Sequence, residues 1–334
     1  MVVVESYVLA VILCFVTMLC WGSWANTQKL AGREWRFQLY YWDYALGVLL
    51  LALILAFTLG SMGSAGRGFL DDLQQARSDA LGSALLGGVI FNLSNILLVA
   101  AIDIAGMAVA FPIGVGLALV LGVVANYVAV PVGNPVLLFA GVGGVTLAII
   151  VDALAYKRLP AEGPKTSAKG IVISILAGVL MGFFYRFVAK SMSPDFVNLE
   201  PGKLGPYTAV AVFSAGLFLS NFLWNSLVMA KPVVGEPVPF GDYFRKGNPR
   251  LHAIGVLGGM IWSLGMALSI LASGAAGFAI SYGLGQGATM IAALWGVFIW
   301  KEFKDAPQGT GGLLTLMFVG YAAGLGLIIA SRVV

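Results

Sequence analysis

The sequence predicts an all-α integral membrane protein whose ten transmembrane helices form two inverted five-helix repeats. Three observations predict this fold. First, the 334 residues are 60% hydrophobic and 10% charged, with a mean hydropathy of +0.94, whereas soluble domains carry roughly 25% charged residues. Second, ten apolar stretches are long enough to cross the hydrocarbon core, which takes about 20 residues. Third, the second half of the sequence repeats part of the first.

The ten predicted spans divide the chain into two halves. They cover residues 7–27, 41–60, 81–102, 107–130, 136–155, 170–190, 207–230, 251–272, 278–300 and 312–331. Only a few residues link spans three and four, four and five, and eight and nine, so these helices are antiparallel neighbours. We therefore expect residues 1–156 to form the first five-helix repeat, 157–169 a linker loop and 170–334 the second repeat.

An internal duplication supports this division. Residues 86–116 align with residues 257–287 without a gap at an offset of 171, and 12 of the 31 positions are identical, where chance gives about two or three. Because five spans per repeat is an odd number, the second repeat is expected upside down relative to the first. Inverted repeats are typical of secondary transporters, whose substrate site lies near the bilayer midplane between the repeats.

The distribution of Lys and Arg predicts the orientation in the membrane. The loops after odd-numbered spans hold 13 of these residues, and the opposite side, with both termini, holds 5. Because cytoplasmic loops carry the excess of Lys and Arg, we expect both termini outside the cell. The expected location is a cell inner membrane or plasma membrane.

Span one contains a stripe of large and polar side chains. Trp21, Trp24 and Gln28 fall at positions i, i+3 and i+7 of one helix face. Aromatic side chains near the end of a span can anchor it at the headgroups, or they can line a pocket. The sequence leaves both interpretations open, and we take these three residues as candidates for substrate binding.

Two other spans carry pairs of amide side chains. Asn92 and Asn95 are three residues apart in span three, and Asn221 and Asn225 are four apart in span seven, with Trp224 beside them. Amides on one helix face can hydrogen-bond a polar solute in a dry pocket, or they can bond a neighbouring helix. These five residues are candidates for substrate binding under the first interpretation.

Spans four and nine supply further candidates at matching positions of the two repeats. Phe111, followed by a proline, aligns with Tyr282, followed by a glycine. Helices interrupted by Gly or Pro at corresponding positions of two repeats indicate the binding site of a transporter. Gln286 lies four residues after Tyr282, so we expect Phe111, Tyr282 and Gln286 to contact the substrate.

Three charged residues of the predicted spans have two interpretations each. Arg186, in span six, either reaches the headgroups or pairs with an anionic group of the substrate. Asp43, near the start of span two, is the candidate carboxylate for a coupling proton or sodium ion, and its alternative role is to cap a helix N-terminus. Asp152, near the end of span five, is expected at the membrane interface.

Other classes of function lack sequence support. His252 is the single histidine, and the sequence has neither a metal-ligand cluster nor a hydrolase motif. The net charge of +4 is too small and too scattered for a nucleic-acid footprint. We therefore expect no enzyme activity, and no cofactor beyond a coupling proton or sodium ion. The expected partners are a small-molecule substrate and the lipid bilayer, with the protein a monomer or a homodimer.

Local motifs resemble a known superfamily. The stretch Trp295–Glu302, a glycine-containing apolar run that closes on a Glu, resembles the drug/metabolite transporter superfamily. Within it, Val3–Ser6, Trp21–Trp24, Tyr41–Tyr44 and Phe57–Gly63 resemble the ureide permeases and the related bacterial glucose/ribose porters. This resemblance implies cation-coupled uptake of small polar solutes such as allantoin, nucleobases or sugars. It also favours the assignments of Asp43 and of the span-one tryptophans.

The expected function is secondary active import of a small, neutral, polar solute by alternating access, with the two repeats rocking about a pocket between them. One alternative is an exporter of drugs or metabolites in the same superfamily. Export of lipophilic cations would need a carboxylate buried mid-span, which the sequence does not indicate. The other alternative is a membrane-embedded transferase, which would need clustered His, Asp or Cys at one membrane face.

Overall fold

The computed structural model describes residues 1–32, 35–159, 168–233 and 235–334, and it confirms an all-α fold with ten candidate membrane spans. Within these residues ten helices are long and apolar enough to span a membrane, and there is no β-strand. The spans are Tyr7–Ala31, Phe37–Phe57, Ser78–Ile102, Val109–Ala129, Pro135–Tyr156, Ala168–Ser191, Pro206–Ala230, Pro249–Ala276, Phe278–Ile299 and Thr310–Ala330. Most of the predicted linker loop, residues 160–167, lies outside the described residues.

Side-chain caps explain where several spans begin. Ser6, Asn134 and Asn248 each precede a span, and their side-chain oxygens accept hydrogen bonds from backbone N–H groups of its first turn. Pro135 and Pro249 follow two of these caps, at a position where no N–H is needed. The sequence therefore fixes these starts locally, before the helices pack.

The packing of the spans is similar when the two halves are exchanged. Span three packs against spans six and seven, and span eight packs against spans one and two. Span four packs against span six, and span nine packs against span one, while spans five and ten pack against each other. A duplicated unit of five helices would produce this pattern. The inversion of the two units and their boundaries stay predictions.

Matched glycines occupy equivalent places in the two halves. Gly88 and Gly259 are 171 residues apart, and each lies against the backbone of a neighbouring span, so closely that a Cβ atom would overlap a carbonyl oxygen. Gly106 and Gly277, also 171 apart, separate consecutive spans with φ angles of 76° and 87°. Glycine alone adopts this left-handed region without strain, so the repeated glycines have structural reasons to be there.

Two spans consist of more than one helix. Span one consists of Tyr7–Ser23 and Ala25–Ala31. Span nine consists of Phe278–Gly285 and Ala288–Leu294, followed by a π-helical turn at Trp295–Ile299. Such π-helical turns are frequent at functional sites. Both breaks lie on the wall of the cavity described next.

Candidate functional site

A cavity of about 800 Å³ is lined by spans from both halves of the protein. Its wall extends from Phe91 and Trp262, in the middle of spans three and eight, to Glu302, in the loop after span nine. Sites for small ligands commonly measure about 300–1,000 Å³. The cavity therefore has a suitable size and position for binding a small solute inside the helix bundle.

Aromatic rings form the inner end of the cavity. The rings of Trp21 and Trp262 stack with centroids 5.9 Å apart, and the Trp21 indole donates a hydrogen bond to the Trp262 carbonyl oxygen at 3.2 Å. The centroid of the Phe91 ring lies 4.3 Å from that of Trp262 and 4.9 Å from that of Phe184. Because these rings hold one another in place, they offer a rigid apolar surface on which a flat solute can stack.

Six of the twelve predicted substrate-binding residues line this cavity: Trp21, Trp24, Gln28, Asn95, Phe111 and Gln286. Asn95 donates a hydrogen bond to the Tyr41 hydroxyl at 3.1 Å, which orients its amide. Gln286 caps the first helix of broken span nine. The helix of span four continues through Pro112, so the expected interruption occurs in span nine and not in span four.

Three other predicted residues make bonds between helices. Asn92 donates to the Leu217 carbonyl at 3.1 Å, which joins spans three and seven. Asn225 donates to the carbonyl oxygen of Gln38, in the first turn of span two, at 2.8 Å. The Tyr282 hydroxyl lies 3.2 Å from the Ala118 carbonyl in span four. These contacts match the alternative interpretation of the amides, in which they connect helices.

The remaining three substrate candidates, Asn221, Trp224 and Arg186, are not part of the cavity wall. Asn221 is fully buried, and neither atom of its amide has a hydrogen-bond partner among the described residues. The indole nitrogen of Trp224 is likewise buried without a partner in that part of the chain. Arg186 is half-buried on span six. Their contacts give no indication of a solute site.

Asp43 belongs to a cluster beside the cavity. Because span two begins at Phe37, Asp43 lies in its second turn and does not cap the helix. Its carboxylate accepts a hydrogen bond from the Tyr243 hydroxyl at 2.5 Å, and both its oxygens lie 3.0 Å from His252 Nδ1. Burial, then the bond to Asp43, raise the pKa of Tyr243, so its hydroxyl stays protonated and donates. The rings of Trp35 and His252 pack edge to face with centroids 5.2 Å apart, and Trp35 also lines the cavity.

The rim of the cavity carries charges that the sequence interpretation did not assign to the site. We name Lys29, Asp152, Tyr156 and Glu302 the rim cluster. Glu302 pairs with Lys29 at 2.8 Å and accepts a hydrogen bond from the Tyr156 hydroxyl at 2.9 Å. Asp152 lies near the end of span five, as expected, but it is 6% exposed and forms part of the cavity wall. The only indication of this cluster in the sequence is the spacing of four residues between Asp152 and Tyr156, which places both on one helix face.

Comparison with known proteins identifies relatives at low identity whose alignments cover most or nearly all of the chain. The family model described as ureide permease matches residues 40–163 and 157–331. "Ureide permease 1" of Arabidopsis thaliana is 23% identical, and the alignment covers 99% of each chain. "Probable ureide permease A3" of Vigna unguiculata is 29% identical over 92% of this chain and 99% of its own. A solved crystal structure shares the fold, with a TM-score of 0.58 and 17% identity over 97% of both chains.

Proposed function

This chain belongs to the ureide permease family of membrane transporters, and we propose that it imports a small, neutral, polar solute by cation-coupled alternating access. The candidate solutes are ureides, nucleobases and sugars. The permease relatives are transporters and not enzymes, so this protein is a multi-pass membrane transporter acting on a small molecule. The solute, the direction and the coupling ion belong to the proposal.

The cavity is the observation that carries the proposal. Its aromatic inner end can stack on a flat ring, while the amides of Gln28, Asn95 and Gln286 can bond polar edges. A hydrogen bond inside a membrane protein averages only about 0.6 kcal/mol. Micromolar binding requires about −8 kcal/mol, so several of these groups must act together with stacking.

The position of the rim supports a cavity that faces the cytoplasm. Wall residues such as Asn26, Tyr156 and Trp300 lie near the loops after spans one, five and nine. From the Lys and Arg count we expect these loops inside the cell. Alternating access then requires the spans of the two halves to separate on the opposite face. This arrangement is the expected one for a solute site between two repeats.

The cluster around Asp43 supports cation coupling. The Asp43 carboxylate is 1% exposed and lies 3.0 Å from the imidazole of the single histidine, and binding one proton neutralises the charge of this buried group. Trp35 contacts both His252 and the cavity. A change of charge at Asp43 can therefore reach the cavity through the side chains of His252 and Trp35.

A thermal-shift measurement on the purified protein tests the proposed function. We expect a ureide, a nucleobase or a sugar to raise the melting temperature, because a ligand present at 100 times its Kd stabilises the folded state by about 2.7 kcal/mol. Adding sodium, or lowering the pH, should increase the shift. If no solute of these three classes shifts the transition under any ionic condition, the proposal is wrong.

A pair of matched variants ties such binding to the cavity. Asn95→Ala removes an amide from the cavity wall, and we expect the ligand-dependent shift to fall strongly. Asn198→Ala removes an amide from an exposed loop, and the shift should stay as in the unmodified protein. Each variant is compared with its own melting temperature without ligand. Equal shifts in both variants would place the binding site elsewhere.

A further inference from the structure

Of the two carboxylates in the rim cluster, Asp152 is the one for which the described residues supply no hydrogen-bond partner at Oδ1. It lies in the last turns of span five, is 6% exposed and contributes to the cavity wall. Its Oδ1 atom is buried and has no hydrogen-bond partner among the described residues. A buried polar atom without a partner is costly, so this carboxylate requires a compensating group.

Two donors of the rim cluster, the Tyr156 hydroxyl and the Lys29 ammonium, are already used by Glu302. The Tyr156 hydroxyl donates to Glu302 Oε2 at 2.9 Å. The Lys29 ammonium pairs with Glu302 Oε1 at 2.8 Å and lies 4.9 Å from the centroid of the Trp300 ring. The Tyr321 hydroxyl, on span ten, is buried without a partner in the described part of the chain, so it does not satisfy Asp152 either. Within the described residues, Asp152 Oδ1 is therefore left without a donor, and a solute in the cavity can supply one.

A carboxylate accepts two parallel N–H groups well. Arginine binds carboxylates in this way because its guanidinium presents two donors side by side. A ureido group, with an N–H on each of its two nitrogens, presents a similar pair of donors without a positive charge. A hydrogen bond to a charged acceptor is stronger than one between neutral groups, so one such pair would contribute more than several amide contacts.

We propose that Asp152 recognises the solute by accepting a pair of adjacent N–H groups. This inference rests on the proposed function, and it narrows the solute to the nitrogen-rich classes, with ureides preferred over sugars. In this proposal Asp152 selects, at the rim of the cavity, the chemical class of solute that is retained.

Binding of allantoin, a ureide, and of glucose to the purified full-length protein tests the proposal. We expect Asp152→Asn to raise the Kd for allantoin at least about tenfold, because the charged acceptor is lost. Asp152→Glu should recover part of this loss. Asp79→Asn removes an exposed carboxylate paired with Arg77 and should leave the Kd unchanged. Glucose should bind more weakly than allantoin to the unmodified protein.

An allantoin analogue methylated on the ureido nitrogens tests the same contact from the side of the ligand. The unmodified protein should bind this analogue at least about tenfold more weakly than allantoin, and the losses from methylation and from Asp152→Asn should not add, since both remove one contact. Because binding of the methylated analogue is measured on the unmodified protein, it tests the contact even if the Asp152 variants do not fold.

The proposal is overturned if Asp152→Asn binds allantoin within twofold of the unmodified protein, or if methylation has no effect. It is also overturned if the variant keeps its allantoin affinity and loses the pH dependence of uptake, because Asp152 would then be a proton site. Failure of the unmodified protein to bind any ureide, nucleobase or sugar contradicts the proposed function itself, a different result from these.

Discussion

Replacing Asp43 by asparagine is expected to abolish accumulation of the solute while exchange across the membrane continues. The Asp43 carboxylate accepts a bond from Tyr243 and lies 3.0 Å from the imidazole of His252. An amide can keep hydrogen bonds of this kind, but it cannot take up or release a proton. Transport in proteoliposomes should then bring the solute only to a ratio of about one between inside and outside, whatever the ion gradient.

The control for this prediction is a carboxylate outside the spans. Asp195 is exposed, and its partners among the described residues, Val197 and Asn198, belong to its own loop, so Asp195→Asn should accumulate the solute normally. Melting temperatures of both variants show whether the protein is folded, because removing one partner of a buried pair also lowers stability. Normal accumulation by a folded Asp43→Asn variant would remove Asp43 from the coupling mechanism.

The second large effect is expected at the duplicated glycines of spans three and eight. A Cβ atom at Gly88 would overlap the carbonyl oxygen of Phe213, and one at Gly259 would overlap that of Tyr44. Gly88→Val and Gly259→Val must each push two helices apart, and overpacking of this kind costs about 3 kcal/mol or more where backbone has to move. We expect little folded protein from either variant, and comparable losses from both.

The matched control is the same substitution at a glycine with open space around it. Gly143, in the middle of span five, is exposed, and nothing lies within 4 Å of a Cβ placed there. Gly143→Val should therefore give a normal yield and a normal melting temperature. If Gly259→Val is as stable as Gly143→Val, the close contact between spans two and eight is not what the structure describes.

The spans could be predicted from the sequence because a bilayer leaves an apolar segment few alternatives to a helix. Every backbone N–H and C=O in the hydrocarbon region must be bonded within the protein, so a long apolar stretch becomes a helix. The duplication was visible for a related reason, since close contacts between spans require glycine, as at Gly88 and Gly259. Span ends shifted by a few residues, and the earlier start of span two placed Asp43 inside the helix.

The partners of polar side chains could not be predicted in the same way. Asn92 and Asn95 are three residues apart, yet Asn92 bonds span seven and Asn95 lies on the cavity wall. Since these spans are apolar almost all round, the pattern of hydrophobic residues does not identify the face that meets the cavity. Contacts such as Asp43 with Tyr243 join residues 200 apart, which no local spacing can indicate.

The account depends most on two five-helix units with opposite orientations, and labelling of single cysteines from one side of the membrane tests this directly. Ser64, after the second span of the first unit, and Glu236, after the second span of the other, are exposed. The native Cys14 and Cys20 are buried, so background labelling should be low. In intact cells an impermeant thiol reagent should label Ser64→Cys, and should label Glu236→Cys only after permeabilisation. Labelling of both from the same side would contradict the inverted arrangement.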